Sequence, residues 1–341
     1  MKVSGYIELK IVVISNVNWH KLVKNEENNM RKIIYGLCIS LILGFLFLCP
    51  SLALAASRQG LQIWFETLLP TLLPFLILSG FLVRANLADS LVAFISPVLK
   101  KIFHISSYGC YAILIGFLCG FPMGAKVLSD LVKAGKIEHI EAQYLLGFCN
   151  NASPAFVITF LVTEQLGKPS MIVPTLLLVY GMPILWGMIQ NPFYRKKLRH
   201  TQIQNLRTLE KAPMVQINFE LIDACILDSV ITITKLGGYI IMFSIIAKMT
   251  TCIPFMTNTV KACVTGVTEL TNGIPLIANA YPFPMSYLIL IPITCFGGLS
   301  ALAQTESVIK SAHLSLSKYF ISKICICILA ASQAYLYLLD I

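Results

Sequence analysis

The sequence predicts an all-α polytopic membrane protein: two inverted repeats carrying Gly/Pro-broken re-entrant hairpins, with about 6–8 spans in all. Three observations lead there. Hydrophobic residues make up 57% of the chain and charged residues only 12%, about half the share usual in soluble proteins, and the mean hydropathy is +0.77. Uncharged runs recur at lengths that cross a hydrocarbon core of about 30 Å. Two further uncharged stretches are interrupted by Gly and Pro. At membrane depth such interruptions are tolerated only where protein or a water-filled cavity satisfies the freed backbone groups.

The elements follow in order. Residues 1–29 are polar, and Met30-Arg31-Lys32 opens a basic-then-apolar start. Met30 therefore reads as the natural initiator, with 1–29 an extension that is either foreign to the native chain or a loose tail. Residues 30–59 form a first transmembrane span. Leu52-Ala53-Leu54-Ala55-Ala56-Ser57 also mimics a signal-peptidase site, but the apolar stretch is long for a cleaved signal. Residues 60–190 form repeat 1, with spans at 60–83, 142–163 and 169–194 around a hairpin at 102–133, which Gly109, Gly116, Gly120, Pro122 and Gly124 interrupt. The segment 191–219 carries Arg195, Lys196, Lys197, Arg199, Arg207 and Lys211 against Glu210 alone, so it is expected in the cytoplasm. That placement requires the stretch 102–133 to return to its own side. Residues 220–341 form repeat 2, with spans at 224–249 and 319–339 and a hairpin at about 287–312. Laying Cys119-Gly120-Phe121 on Phe296-Gly297-Gly298 puts Lys133 on Lys310 and supplies the register of the repeat. Lys310, Lys318 and Lys323 fit this mirrored arrangement poorly.

A net charge of +10, placed between apolar runs, suits anionic lipid headgroups. With no basic recognition helix and no interleaving of Arg with aromatic residues, nucleic acid is not an expected partner. Most of the eleven cysteines lie in apolar runs, where cysteine acts as a small hydrophobe. There is no C-x-x-C, and the five histidines are scattered, so neither a disulfide framework nor a metal site is predicted. No cofactor is implied.

Four constellations carry chemistry. In Gly120-Phe121-Pro122-Met123-Gly124-Ala125-Lys126, followed by Asp130, one half-helix ends and another begins with its N–H groups facing the break, a setting for an anionic group. A tight turn with a Lys126–Asp130 helical pair explains the same residues without a ligand. Asn150-Asn151-Ala152-Ser153-Pro154 reads as an unwound helix lining a polar path, or as helix–helix hydrogen bonding. Thr268-Glu269-Leu270-Thr271-Asn272-Gly273 offers a carboxylate, hydroxyls and an amide beside a break. Gln304-Thr305-Glu306-Ser307 follows the second Gly-Gly; simple capping accounts equally for these last two. The candidate substrate-binding residues are therefore Gly120, Pro122, Gly124, Lys126, Asn150, Asn151, Ser153, Glu269, Thr271, Asn272, Gln304 and Glu306. No G-x-S-x-G, P-loop, H-E-x-x-H or aspartate-rich motif is present, so an enzyme is not expected. Asp223 and Asp228 read as helix-end or packing residues.

At these motifs the chain resembles the sporulation integral membrane proteins of the YlbJ type, within the nucleoside-recognition (Gate) domain family. The resemblance runs from Gly60-Leu61, Trp64, Leu69-Pro70 and Leu73-Pro74-Phe75 through the Gly120–Lys126 run to Asn151-Ala152-Ser153-Pro154-Ala155-Phe156 and Glu269-Leu270-Thr271-Asn272-Gly273. Gln304-Thr305-Glu306-Ser307 is similar to a short hairpin motif of concentrative nucleoside transporters. The resemblance implies a role in endospore formation, in the mother-cell or outer forespore membrane. It implies movement of dipicolinic acid toward the forespore and a fold of inverted repeats with re-entrant hairpins. The N-terminal extension and the lack of a second Gly-Phe-Pro-Met-Gly run depart from it.

The expectation is a transporter or permease component for a small anionic or heteroaromatic solute, dipicolinate or nucleoside-like. Two alternatives stand beside it: a membrane scaffold of a sporulation complex working through the basic loop 191–219, and a nucleoside transporter-like protein. Ion coupling and a homo-oligomeric state are left open at this level.

Overall fold

The computed structural model describes residues 19–87, 92–202 and 218–339, and among them every regular element is helical. The chain divides into two compact units, up to Leu54 and from Ala55 onward. The first holds α1 (Trp19–Leu48) and the start of α2 (Pro50–Gln62). The expected first span 30–59 is thus divided at Cys49, just before a proline suited to opening a helix. Residues 1–18 of the extension and 203–217 of the basic loop lie outside the described residues.

In the second unit a π-helical turn, Ile63–Leu68, leads into α3 (Leu69–Arg84). Then come α4 (Ser96–Phe103), α5 (Ser107–Cys119), α6 (Met123–Lys133) and α7 (His139–Leu146). A π-helical segment, Phe156–Gln165, and α8 (Ile172–Gln202) complete the first half. The second half comprises α9 (Phe219–Thr251), α10 (Asn258–Thr268), α11 (Leu270–Ala280), α12 (Met285–Phe296), α13 (Gly298–Ile309) and α14 (Leu316–Leu339). Among the described residues, four helical stretches are long and apolar enough to cross a membrane unaided: Pro169–Leu198, Phe219–Thr251, Met285–Ala312 and Leu316–Leu339. Leu177, Phe193, Leu227, Ile328 and Leu336 on α8, α9 and α14 are exposed, an exterior that suits lipid.

The first hairpin forms as its sequence predicts. Ser106 caps α5 by accepting from Gly109 N at 3.0 Å, and Glu141 in turn accepts from Ser106 N and Oγ at 2.8 Å each. Gly120, at φ +84°, ends α5 in a conformation that L side chains rarely adopt. The chain then reverses into α6. Gly116 and Gly124 face each other across the arms, and a Cβ on either would run into the Cys149 carbonyl.

The second hairpin lies elsewhere than expected. The segment 287–312 does not fold back on itself: α12 and α13 continue as one candidate span, Met285–Ala312, broken at Gly297. The arms that do pack together are α10 and α11, because the small residues that allow close approach lie there. A Cβ on Gly273 would collide with the Gly266 backbone. Thr257 caps α10 and Glu269 caps α11.

The repeat register shifts accordingly. The tip at Gly120 corresponds to the tip at Glu269, and the break after α7 corresponds to Gly297. Each half then reads as helix, hairpin, interrupted span, helix. With each hairpin counted as no crossing, the element order would give three crossings per half, a count that would set the halves in opposite orientations.

This order also removes the conflict among the lysines. Arg84, Lys100, Lys101, Lys133, Lys136, Arg195, Lys196, Lys197, Lys310 and Lys318 fall on one side, while Lys168, Lys248 and Lys261 fall on the other. Contacts between distant segments agree. His139 Nε2 lies 2.9 Å from His313 O, and Gln143 Nε2 donates to Ser315 O at 3.3 Å on the first side. Lys168 Nζ stands 5.3 Å over the Phe283 ring on the other. By the positive-inside rule the basic-rich side is the one expected to face the cytoplasm.

Two cores support the arrangement. One gathers Phe103, Tyr111, Leu128, Leu145 and Phe148 around the first hairpin. The other joins Val157 and Leu161 of the π-helical segment to Tyr287, Leu290 and Ile326.

Two outcomes are expected. In a background cleared of the eleven native cysteines, single cysteines replacing Lys136 and Arg195 should react with an impermeant maleimide from the cytoplasmic face, and one replacing Lys168 only from the opposite face. Labelling of Lys136 and Lys168 from the same face contradicts the crossing count. Gly273→Val should cost about 1–3 kcal/mol or more through overpacking and lower the yield of monodisperse protein. Gly238→Val, where nothing lies within 4 Å of the new Cβ, should be recovered at the wild-type level.

Candidate functional site

A cavity of about 740 Å³ lies where the two hairpin tips and the two interrupted spans converge. Gly120 and Phe121 reach it from the first tip, and Glu269, Leu270 and Thr271 from the second. Ala152, Ser153 and Phe156 border it at the first break; Gly297, Ser300, Ala301 and Gln304 do so at the second. Side chains of α3 and α9, such as Phe75 and Ile240, close the wall. The volume is that of a small-molecule site, mainly apolar with a few placed polar groups.

The predicted residues separate into two sets. Gly120, Ser153, Glu269, Thr271 and Gln304 line the cavity. Pro122, Gly124, Lys126, Asn150, Asn151, Asn272 and Glu306 are not in its wall. Pro122 and Gly124 shape the first tip, and Glu306 is half-buried on α13 beyond Gln304. Asn150 and Asn151 act as braces. Asn150 Nδ2 donates to Thr305 Oγ1 and Tyr319 OH at 3.0 Å each, and its Oδ1 accepts from Ala125 N at 3.4 Å. Asn151 Nδ2 donates to Phe148 O at 2.8 Å. With Tyr180 OH donating to Ala152 O at 2.8 Å, the unwound backbone after α7 finds partners inside the protein.

Glu269 is 5% exposed. Its Oε2 accepts from Asn272 N at 2.8 Å and Thr271 Oγ1 at 2.6 Å, while Oε1 has no protein partner among the described residues. Asn272 Nδ2 donates to Ser244 Oγ at 3.1 Å. Across the cavity, α13 begins at Gly297 without a side-chain cap, so its first N–H groups are free to meet an acceptor. Gln304 Nε2 donates to Ser300 Oγ at 3.0 Å. Phe156 and Phe160 stand with ring centroids 5.1 Å apart on one wall. Among the described residues no Lys, Arg or His lines the cavity, and its carboxylates are Glu66 and Glu269.

Lys126 is engaged away from the cavity. Its ammonium donates to Asp130 Oδ1 and Oδ2 at 2.8 and 2.9 Å and to Asp228 Oδ2 at 2.9 Å. Arg84 Nη2 reaches Asp228 at 3.4 Å. Asp228, expected as a packing residue, thus ties α9 to the first hairpin. Its sequence signal was an acid inside an apolar span. Lys323 is the other residue the sequence reading passed over. It is fully buried on α14, donating to Asn151 Oδ1 and Cys295 O at 3.1 Å each.

Fold and site together define a polytopic integral membrane protein with a solute-sized cavity between two re-entrant hairpins. The chain is similar to the sporulation integral membrane protein YlbJ of Bacillus subtilis (strain 168), with 24% identity over 309 residues, covering 81% of this chain and 75% of that protein. This similarity bears out the YlbJ-type resemblance drawn from the motifs. No family model matches the chain, and no solved structure matches it; the Gate-domain part therefore stays a resemblance.

Lys126→Met leaves two aspartates without their shared cation. Breaking a buried pair from one side costs about 3–5 kcal/mol, so the amount of folded protein in membranes should fall sharply. Asp228→Asn should be milder, because that side chain is 43% exposed. Quantitative blotting of membrane fractions checks both, and equal losses would contradict the unequal burial.

Proposed function

We propose that the protein is a membrane carrier for a small heteroaromatic acid and works in endospore formation. The observation behind this reading is the convergence of two hairpin tips and two chain breaks on one mostly apolar cavity. Solute sites of repeat-built transporters are made from discontinuous helices of this kind near the midplane. The aromatic wall at Phe121, Phe156 and Phe160 suits a flat ring. The uncapped start of α13, with Ser300 and Gln304, suits a carboxylate. The sporulation role follows from the name of the similar protein, and dipicolinate is the heteroaromatic acid that the resemblance implies. The anion is met by backbone N–H groups in this reading, not by Lys126, which is held by Asp130 and Asp228.

One observation favours a second reading. Glu269 brings a carboxylate to the cavity, and among the described residues no basic side chain lines it. A neutral solute with hydroxyl donors, such as a nucleoside, would fill that acceptor. A scaffold acting through the basic loop 191–219 makes no use of the cavity.

Purified protein in liposomes separates the readings. Uptake of labelled dipicolinate, competed by unlabelled dipicolinate and not by uridine, is the expected result. Glu269→Gln should leave that uptake intact. If uridine is the solute, the same substitution should cost roughly 10–100-fold, the worth of a hydrogen bond to a charged group. Absence of uptake for both solutes, with spore formation depending on the basic loop 191–219, would move the protein to the scaffold class.

A further inference from the structure

Lys323 stands at the crossing of the two interrupted spans. Its side chain is fully buried, and among the described residues no carboxylate pairs with it. One N–H goes to Asn151 Oδ1 in the break after α7, and another to the Cys295 carbonyl in the last turn of α12. The ammonium also lies over two rings, 4.7 Å from the Phe121 centroid and 5.6 Å from that of Tyr319. Phe121 belongs to the first hairpin tip and lines the cavity. Its ring packs against Gly297 so closely that no Cβ fits there.

The surroundings are those of a cation site. A side-chain amide oxygen, a carbonyl at the negative end of a half-helix and two ring faces all favour positive charge. Unwound carbonyls and half-helix C-termini are the groups with which broken-helix transporters hold a coupling cation. If a strut were all that was needed, a neutral donor would serve, and burying an ammonium without a counter-ion is costly. The adjacent α14 residue Cys327 makes the contrast: its thiol donates to Pro292 O at 3.1 Å, one turn earlier on α12, without any charge.

We infer that the Lys323 ammonium is a fixed, chain-borne substitute for a coupling metal cation, holding the two interrupted spans and the first hairpin tip together. The carrier reading gives this its functional consequence, solute movement without a sodium requirement at this position. The binding chemistry itself is testable apart from transport.

The experiment compares wild type with Lys323→Ala and Lys323→Met, extracted and purified in sodium chloride or in choline chloride at equal ionic strength. Thermal unfolding is followed in each. The wild-type midpoint should be the same in both salts. Lys323→Ala, which opens a space among the same oxygens, should unfold at a lower temperature in choline and regain about 3 °C in sodium at ten times its dissociation constant. Lys323→Met fills the space with an apolar group and should gain nothing from sodium. A sodium-dependent midpoint in the wild type would overturn the inference. So would a Lys323→Ala protein indifferent to sodium, or one that aggregates in both salts, since the cation should rescue it. These readouts need no solute, so a failure of the carrier reading would appear separately, as absent uptake by a wild type whose midpoint ignores sodium.

Discussion

Backbone groups left unpaired at membrane depth must find partners inside the protein, and the second unit is built around meeting that demand at two tips and two breaks. Each has its own answer. Asn150 accepts from Ala125 N where α6 starts, and Glu269 accepts from Asn272 N where α11 starts. Tyr180 donates to the Ala152 carbonyl, and Lys323 to that of Cys295. The partners come from other elements in three of these four cases, so satisfying a break also fixes how the elements pack. The cavity is what remains between four ends that cannot approach further.

The division between lining and bracing follows from this. An amide can both donate and accept, so Asn150 and Asn151 can each satisfy several neighbours at once and are drawn into the packing behind the cavity wall. Ser153 accepts from Phe156 N at 3.3 Å and Gln304 donates to Ser300 within α13, local contacts that leave both side chains at the edge of the space. Lys126 and Lys323 illustrate two ways of keeping a lysine out of lipid. The first is neutralised by aspartates from its own helix and from α9; the second is held by dipoles and ring faces alone.

Much of this was legible in the residues. The hairpin at Gly120 announced itself by Gly and Pro within an uncharged run, and the break at Asn150–Pro154 by adjacent amides before a proline. The second hairpin was misplaced because 270–305 contains Gly and Pro throughout, and Gly297-Gly298 resembles the Gly120 turn more than Thr268-Glu269-Leu270 does. What distinguishes a hairpin from an interrupted span is a pair of small residues flanking the tip, Gly116 with Gly124 and Gly266 with Gly273. Gly297 has no such flanking pair. Lys323 could not be assigned by composition, since a lysine within an apolar helix reads equally as a topological signal. Asp228 gains its meaning only when α9 lies beside α6, a contact between residues 102 apart.

That separation bears on how the chain comes to be assembled. When the first hairpin leaves the ribosome, Lys126 has Asp130 for company, but Asp228 is still to be made. The donor of Asn150 waits longer, since Tyr319 follows it by 169 residues, as does Asn151, which Lys323 follows by 172. The amino-terminal half therefore enters the bilayer with an unfinished charge balance and an unbraced break. The braces of its first break are complete only once the last helix has been made, so the two halves share one set of contacts despite their separate hairpins.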